Sequence, residues 1–187
     1  MELNQAIIER RSYRSLDKVE IPDSIIRELA ESASLFPSCY NNQPWRFVFV
    51  TDRDMLGRMF ETLSKGNEWA TNASMVIAVC AKKEDDCVIR EREYYLFDTG
   101  MAVGVMLLKA TELGLVLHPI AGYDPHKAKE TLGIPEDMML ITLLIGGKHS
   151  EEIKPILSDF QREAEKSRPE RKPLADIAFK DKFGIPI

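Results

Sequence analysis

The chain has 187 residues, of which 44% are hydrophobic and 29% charged, as is usual for a soluble globular domain. Its net charge of −5 argues against non-specific binding to nucleic acids. The N-terminal sequence has no apolar signal segment, and the best candidate for a membrane segment, residues 101–108, is far too short to cross a bilayer. These features predict a cytoplasmic protein with neither a membrane nor a nucleic acid as partner.

The cysteines and histidines of the chain give no metal signature. No metal-like spacing and no CxxC motif joins the three cysteines, Cys39, Cys80 and Cys87, so we expect reduced thiols. The three histidines are too scattered to assemble a zinc site or a Ser-His-Asp triad from the sequence alone. We therefore predict no metal.

The first third of the chain alternates helices with a single strand. Asn4 is positioned to cap a helix over residues 5–11, and Pro22-Asp23 opens a second helix with apolar residues at helical spacing. A polar loop, residues 37–44, leads into a strand over residues 46–51. A further helix follows over about residues 54–65, starting at Asp52 or Asp54, and residues 66–73 are ambiguous.

The central part of the chain is dominated by a buried strand and a buried helix. Met75 to Ala81 is a continuous apolar run, typical of a central strand covered on both faces. The charged residues 82–93 predict a solvated loop and the first turn of a helix rather than a binding patch. The sequence predicts a long helix from about Arg92 to Leu113, which ends before Gly114. Small residues inside this helix suggest the close approach of another element: Gly100, Ala102 and Gly104.

The last part predicts two strands, a helix and a tail. The strands cover residues 115–121 and 139–145, and the helix runs from Asp124-Pro125 to Gly133. The last forty residues have too few apolar side chains to bury themselves alone, so they are either disordered or lie across another surface, such as a second subunit. The whole order indicates one α/β or α+β domain.

Three polar stretches could carry chemistry, although neither GxxxxGK[ST] nor GxGxxG occurs. "RRSYR", residues 10–14, offers three guanidiniums and a hydroxyl for a phosphate, but alone it is better read as a solvated basic helix end. "RPERKP", residues 168–173, is a second basic cluster that alone predicts only a solvated surface. The amides of residues 41–43 suit either the edge of a heterocycle or an Asx-rich turn that satisfies its own backbone.

These stretches occur together, in one order, within longer recognisable sequence motifs. With "AIIERRSYR", "PSCYNNQPWRFVFV", "HPIAGYDPHKAKETLGIPEDM" and "RKPLADI", the chain resembles the nitroreductase family of FMN-dependent oxidoreductases. The resemblance implies an α+β fold with a central, mostly antiparallel sheet flanked by helices. It also implies a single domain over residues 1–187, whose tail, residues 150–187, packs on the partner subunit of a homodimer with shared active sites.

The resemblance also assigns the cofactor-binding residues. Arg10, Arg11 and Ser12 would hold the FMN phosphate and ribityl region, Arg14 would lie near the pyrimidine edge, and Arg171 would return from the tail to the phosphate. The loop that reaches the flavin from the partner subunit would supply Pro37, Ser38, Cys39 and Asn41. The backbone of Ala121 and Gly122 would approach the flavin ring near N5.

The implied function is the transfer of hydride from NADH or NADPH, through FMN, to a small nitroaromatic or quinone-like acceptor by a ping-pong route. No catalytic side chain is needed, because the flavin carries the chemistry. The alternatives are another flavin reaction, namely dehalogenation or flavin breakdown, and a non-enzymatic flavin-binding or sensor protein.

Some positions stay open within this resemblance. Ala121 stands where some relatives have an acidic residue, and Cys39 replaces a common serine, either as a small polar filler or as a redox thiol. Asn67 could contact the flavin or cap a loop. Tyr40 and Trp69 could line the substrate face or serve as packing.

Overall fold

The computed structural model describes residues 1–187. The helices are α1 (Leu3–Glu9), α2 (Asp23–Ser34), α3 (Arg53–Phe60), α4 (Tyr94–Glu112), α5 (Pro125–Leu132) and α6 (Asp159–Lys166). The strands are β1 (Leu16–Asp17), β2 (Trp45–Val50), β3 (Met75–Ala81), β4 (Val88–Ile89), β5 (Arg92–Glu93), β6 (Val116–Ile120) and β7 (Met139–His149). Short 3₁₀ helices cover Cys39–Asn41, Glu68–Asn72, Lys83–Asp85 and Leu174–Asp176.

A five-stranded antiparallel sheet forms the centre of the domain. The strand β3 lies between β2 and β7, and β7 also pairs with β6 and, at its last two residues, with β1. The hairpin of β4 and β5 stands apart as a separate two-stranded sheet. The predicted α+β class with a mostly antiparallel sheet is confirmed.

The two faces of β3 explain why its sequence is apolar without alternation. Val76, Ala78 and Cys80 belong to the hydrophobic core that includes residues of α3 and α5. Met75, Ile77 and Val79 belong to the core formed with α2 and α4. All seven residues of the strand are buried, because helices cover the sheet on both sides.

The long helix α4 is buried on one side only. Its buried residues include Ala102, Val103 and Met106, which pack on the sheet with α2. A Cβ added at Gly100 or Gly104 would meet no atom within 4 Å. No element of the chain therefore makes the close approach that Gly100 and Gly104 suggested. None of the helices combines the length and hydrophobicity that crossing a bilayer requires.

Several predicted element boundaries need correction. Asn4 lies inside α1, which begins one residue earlier and has no side-chain cap. The helix predicted over residues 54–65 ends at Phe60, because Thr62 Oγ1 donates to the Met59 carbonyl and Leu63 pairs with Tyr123. The strand β7 continues past Ile145 through two glycines. Gly146 is packed under Leu117 and Met75, where a Cβ would approach both side chains to 3.1 Å.

The charged run and the tail also hold structure that the sequence did not predict. Residues 88–93 form the β4–β5 hairpin where we expected a solvated loop. The tail begins with contacts to the rest of the chain, since Leu157 joins the hydrophobic core and α6 carries a buried Glu165. Residues 169–187 are mostly exposed, including apolar side chains: Leu174, Ile177, Phe183, Ile185 and Ile187.

Candidate functional site

The predicted phosphate segment, residues 10–14, follows α1 directly and meets the tail. The guanidinium of Arg168 donates to the carbonyls of Ile8 and, at 2.8 Å, Arg10. Burial, followed by the nearby charges of Arg168 and Arg171, lowers the pKa of Arg10. None of these three arginines takes part in an ion pair. A cluster of cations without a carboxylate partner suits a phosphate dianion.

Arg11 and Ser12 have different surroundings. One guanidinium nitrogen of Arg11 donates to the carbonyls of Ala164, Glu165 and Ser167, at 2.9, 3.1 and 2.8 Å. These carbonyls lie at the C-terminal end of α6, where a cation also interacts favourably with the helix dipole. Arg11 thus joins the segment to the tail, whereas Ser12 Oγ accepts a long 3.4 Å bond from Arg10.

Two buried groups that the sequence did not single out fix the backbone of this segment. The carboxylate of Glu165, 7% exposed, accepts hydrogen bonds from the backbone N–H groups of Arg14 and Ser15 at 2.8 and 3.1 Å. His118 Nδ1 donates to the Tyr13 carbonyl at 3.1 Å. Burial lowers the pKa of His118 to about 4, so its ring is neutral at pH 7. No periodicity or motif in the sequence marks either role.

A chain of contacts links Arg14 to Gly122. The guanidinium of Arg14 lies 5.9 Å from the ring centre of Trp69, whose Nε1 donates to Asn67 Oδ1 at 3.3 Å. Asn67 Nδ2 in turn donates to the Gly122 carbonyl at 2.9 Å. Trp69 is 1% exposed and belongs to the core, so it serves as packing rather than as a substrate-facing side chain.

The backbone at Ala121 and Gly122 is fixed through the Gly122 carbonyl, while its N–H groups are left without acceptors. The Gly122 carbonyl accepts from Asn67 and from the Ser64 N–H, while the N–H groups of Ala121 and Gly122 make no hydrogen bond within the protein. A Cβ at position 122 would lie 2.5 Å from Asn67 Nδ2. Any side chain at position 122 would therefore have to displace the Asn67 amide from its contact with the Gly122 carbonyl, independently of any ligand.

The second predicted part of the site is the loop 37–44, which has a strained backbone. Three residues other than glycine have positive φ: Tyr40 at 49°, Asn41 at 58° and Gln43 at 49°. Ser38 Oγ accepts from the Gln43 N–H at 2.9 Å, and the Asn41 carbonyl accepts from the Gln43 side chain. The loop thus satisfies part of its own backbone, including the Asn41 N–H, which donates to the Ser38 carbonyl at 3.0 Å. The side-chain amide of Asn41 makes no hydrogen bond within the protein, and Tyr40 is 88% exposed.

Cys39 corrects the expectation of three reduced thiols. Its sulfur forms a disulfide with Cys87, with the two Cα atoms 6.1 Å apart, and only the buried Cys80 is free. The pairing was not readable from sequence because the two residues are 48 positions apart and meet only in the fold. Cys39 is therefore neither a polar filler nor a free thiol in this structure.

The Cys39 backbone is also tied to α4. Its N–H donates to Asp98 Oδ2 at 2.6 Å, and Asp98 is 2% exposed. Burial, together with the nearby Asp86 carboxylate, raises the pKa of Asp98, while the Cys39 N–H acts in the opposite direction. On the other side of the disulfide, Asn42 Nδ2 donates to Asp86 Oδ1 at 3.2 Å and to Cys87 Sγ at 3.6 Å.

The two predicted parts of the site lie at opposite ends of the sheet. The loop 37–44 enters β2 at Trp45, which pairs with Ala81 at one end of β3. Tyr13 stacks on His149, beyond Gly146, the partner of Met75 at the other end of β3. A strand of this length spans about 20 Å. Within one protomer the two parts therefore cannot line the same small-molecule site.

The fold and these motifs agree with one protein family. A model of the nitroreductase family matches residues 7–147. The chain belongs to the nitroreductase family. A relative from Archaeoglobus fulgidus, provisionally named an NADH dehydrogenase/NAD(P)H nitroreductase, is 31% identical over 176 residues, 91% of this chain and 95% of that protein.

Two further proteins extend the comparison. An oxygen-insensitive NADPH nitroreductase of Helicobacter pylori is 27% identical over 163 residues, 68% of this chain and 78% of that protein. A solved structure described as an oxidoreductase containing FMN is 29% identical, with a TM-score of 0.84 over 98% of this chain and 93% of the other. The similarity to this solved structure therefore covers residues outside the range 7–147.

Proposed function

We propose that this nitroreductase-family protein is an FMN-dependent oxidoreductase. It takes hydride from NADH or NADPH and reduces a small organic acceptor, nitroaromatic or quinone-like, by a ping-pong route in the cytoplasm. The observation that carries the proposal is the unpaired arginine cluster, joined through Arg14, Trp69 and Asn67 to the free N–H groups at Ala121 and Gly122. The FMN contained in the 29% identical oxidoreductase supports it.

The donor set of this region fits FMN in its chemistry. Arg10, Ser12 and Arg171 would hold the phosphate, with Arg168 and Arg11 holding the segment against the tail. Arg14 would place a cation near N1 and O2, where negative charge develops on reduction. The N–H groups of Ala121 and Gly122 would donate towards N5.

The residues of this chain bind and orient, whereas bound FMN would supply hydride acceptance and donation. Trp69 and neutral His118 give the segment an apolar, fixed floor, so that Arg14 keeps its position without a carboxylate partner. No general base is proposed among the protein side chains.

We further propose a homodimer in which each site draws on both protomers. The separation of the loop from the arginine cluster supports this arrangement, because Pro37, Ser38, Cys39 and Asn41 could reach a cofactor held at Arg10 only on a second protomer. Since the Cys39 sulfur is in the disulfide, the contribution of Cys39 would come from its backbone.

An uncovered apolar stripe supports the same assembly. On α4 it runs at helical spacing through Phe97, Gly100, Met101, Gly104 and Leu108, all exposed or half-buried. The exposed apolar residues of the tail, within 169–187, would pack on the partner subunit. Sedimentation should report a dimer, and a monomer at micromolar concentration would contradict the shared site.

The experiment that tests the function is a visible absorption spectrum followed by anaerobic titration with NADH and NADPH. Flavin bands that bleach support the proposal. Bands that persist with both nucleotides would favour a sensor or a flavin-breakdown protein, and the absence of bands after adding FMN would overturn the cofactor assignment.

Matched variants test the arginine cluster separately. Arg171→Ala removes an exposed guanidinium that makes no hydrogen bond or ion pair within the chain, so FMN affinity should fall about 10- to 100-fold, as for loss of a charged hydrogen bond. Arg58→Ala removes an exposed arginine on α3 and should leave FMN affinity unchanged. Equal FMN affinity in both variants would remove Arg171 from the site.

A further inference from the structure

The Cys39–Cys87 disulfide lies outside both hydrophobic cores. It joins the loop 37–44 to the charged segment before β4, and neither cysteine belongs to either core cluster. Both cysteines are only half-buried. In the single chain a disulfide in such a position can be reached by an external thiol, whereas the free Cys80 is buried in the sheet.

The disulfide holds a loop that stores backbone strain. Three non-glycine residues with positive φ lie within four positions of Cys39, each in a sparsely populated conformation. The other restraints on the loop are single hydrogen bonds, chiefly Cys39 N–H to Asp98 and Gln43 N–H to Ser38 Oγ. The covalent tie to Cys87 is therefore the strongest restraint on this strained backbone.

We propose that Cys39–Cys87 is a reversible thiol–disulfide site that takes a dithiol as its reductant, and that its redox state sets the conformation of the loop 37–44. In the oxidised form described here the strained loop is held. In the reduced form Tyr40, Asn41 and Gln43 can return to negative φ, because only hydrogen bonds then hold the loop, including those of the Cys39 N–H to Asp98 and of the Asn42 N–H to the Cys39 carbonyl. The effect on FMN rests on the proposed function, whereas the thiol chemistry does not.

The exchange reaction balances with the dithiol alone. A thiolate of the reductant attacks Cys39 Sγ, the sulfur–sulfur bond breaks, and Cys87 leaves as a thiolate that takes up a proton. The Asn42 amide, which already donates to Cys87 Sγ at 3.6 Å, stabilises that leaving thiolate. The second thiol of the reductant then displaces Cys39, so the protein gains two electrons and two protons and the dithiol becomes a disulfide.

The test uses the full chain and two measurements. Native protein is incubated with dithiothreitol, alkylated with N-ethylmaleimide and mapped by mass spectrometry. Amide hydrogen exchange is then compared before and after reduction. We expect Cys39 and Cys87 to be alkylated without unfolding, and exchange in residues 39–43 to accelerate at least tenfold, with β3 unchanged as the internal reference.

Variants separate the disulfide from general effects of thiols. Cys39→Ser/Cys87→Ser should show fast exchange in the loop with or without dithiothreitol, and Cys80→Ala should retain the redox response of the native chain. Three results would overturn the proposal. The disulfide could resist dithiothreitol until the protein unfolds, or hydrogen exchange in the loop could fail to respond to reduction. Finally, Cys39 and Cys87 could be found unpaired as thiolates that bind stoichiometric zinc together with Asp86.

The link to the cofactor has its own readout. If FMN binds, reduction of the disulfide should weaken FMN retention about tenfold, and unchanged retention would overturn that link. If no FMN binds at all, the proposed function fails, but alkylation and hydrogen exchange still decide whether the site is reversible.

Discussion

The segment 10–14 and the loop 37–44 are both irregular, polar and rich in hydrogen-bonding side chains, yet they are held in different ways. The segment is supported by buried groups from distant parts of the chain, namely the Glu165 carboxylate and the His118 ring. The loop is held at the surface by one disulfide and by hydrogen bonds, of which one reaches the buried Asp98 on α4, and it has strained φ values. The segment therefore depends on core packing, and the loop on a chemical bond that the environment can change.

The largest effect should follow removal of the carboxylate beneath the segment. Glu165→Ala leaves the buried N–H groups of Arg14 and Ser15 without acceptors, and we expect the free energy of unfolding to fall by about 3 kcal/mol. Glu163→Ala, on the exposed face of the same helix, should change it by less than about 0.5 kcal/mol. Urea unfolding measures both. Equal losses would mean that water replaces Glu165 without cost.

The next largest effect should be a loss of stability at acid pH, when His118 beneath the segment takes up a proton. His118 has a folded pKa of about 4 against an ordinary value of 6.5, so the unfolded state binds the extra proton first. Stability is therefore complete above pH 6.5 and falls towards pH 4, by about 3 kcal/mol from this residue.

Histidine variants isolate this contribution by urea unfolding at pH 7 and pH 4. His118→Gln should reduce the difference between the two pH values, whereas His126→Gln, at an exposed position on α5, should leave it as in the native chain. If the two variants show the same difference, His118 is not the acid-sensitive support.

The contact between Asn67 and Gly122 offers a smaller and sharper test. Gly122→Ala places a Cβ against Asn67 Nδ2 and should destabilise the protein by about 2 kcal/mol. In an Asn67→Ala background the same change should cost less than about 1 kcal/mol, because the obstructing amide is gone. A cost that is the same in both backgrounds would show that another neighbour requires the glycine.

The smallest effect should appear in the loop and have the opposite sign. Tyr40→Gly relieves a positive φ at an exposed side chain, so it should stabilise the protein by about 0.5 kcal/mol after the entropy of glycine is counted. Leu35→Gly, at an exposed residue with φ of −78°, should destabilise it by a similar amount. Destabilisation by both variants would mean that the loop is not strained.

The sequence predicted the elements whose evidence is local. The prediction of β3 from its uninterrupted apolar run is confirmed, as are the start of α5 at Asp124-Pro125 and its end at Gly133. In both cases residues next to one another in the sequence carry the signal, for burial on both faces or for capping. The capping box of Ser158 and Gln161 is a local signal of the same kind and could have revealed α6.

What the sequence could not predict depends on contacts between distant residues. Glu165 reads as one more charge on a charged helix, and only the fold shows that two backbone donors meet it. The Cys39–Cys87 pairing likewise needs the loop and the β4 segment to be brought together. The sequence showed the arginine cluster as two separate basic stretches. It did not show that Arg168 would join them by donating to the Arg10 carbonyl.

The supports of the segment have a consequence for the order in which the protein is made. Arg14 is bonded to a carboxylate 151 positions later in the chain, and the cluster at Arg10 is closed by Arg168. During synthesis the segment 10–14 thus leaves the ribosome early. Its contacts with Glu165 and Arg168 can form only after the residues of the central sheet have been made. A ribosome that stops before α6 releases a chain that has every strand of the central sheet, but whose segment 10–14 lacks the contacts with Glu165 and Arg168 that fix its shape.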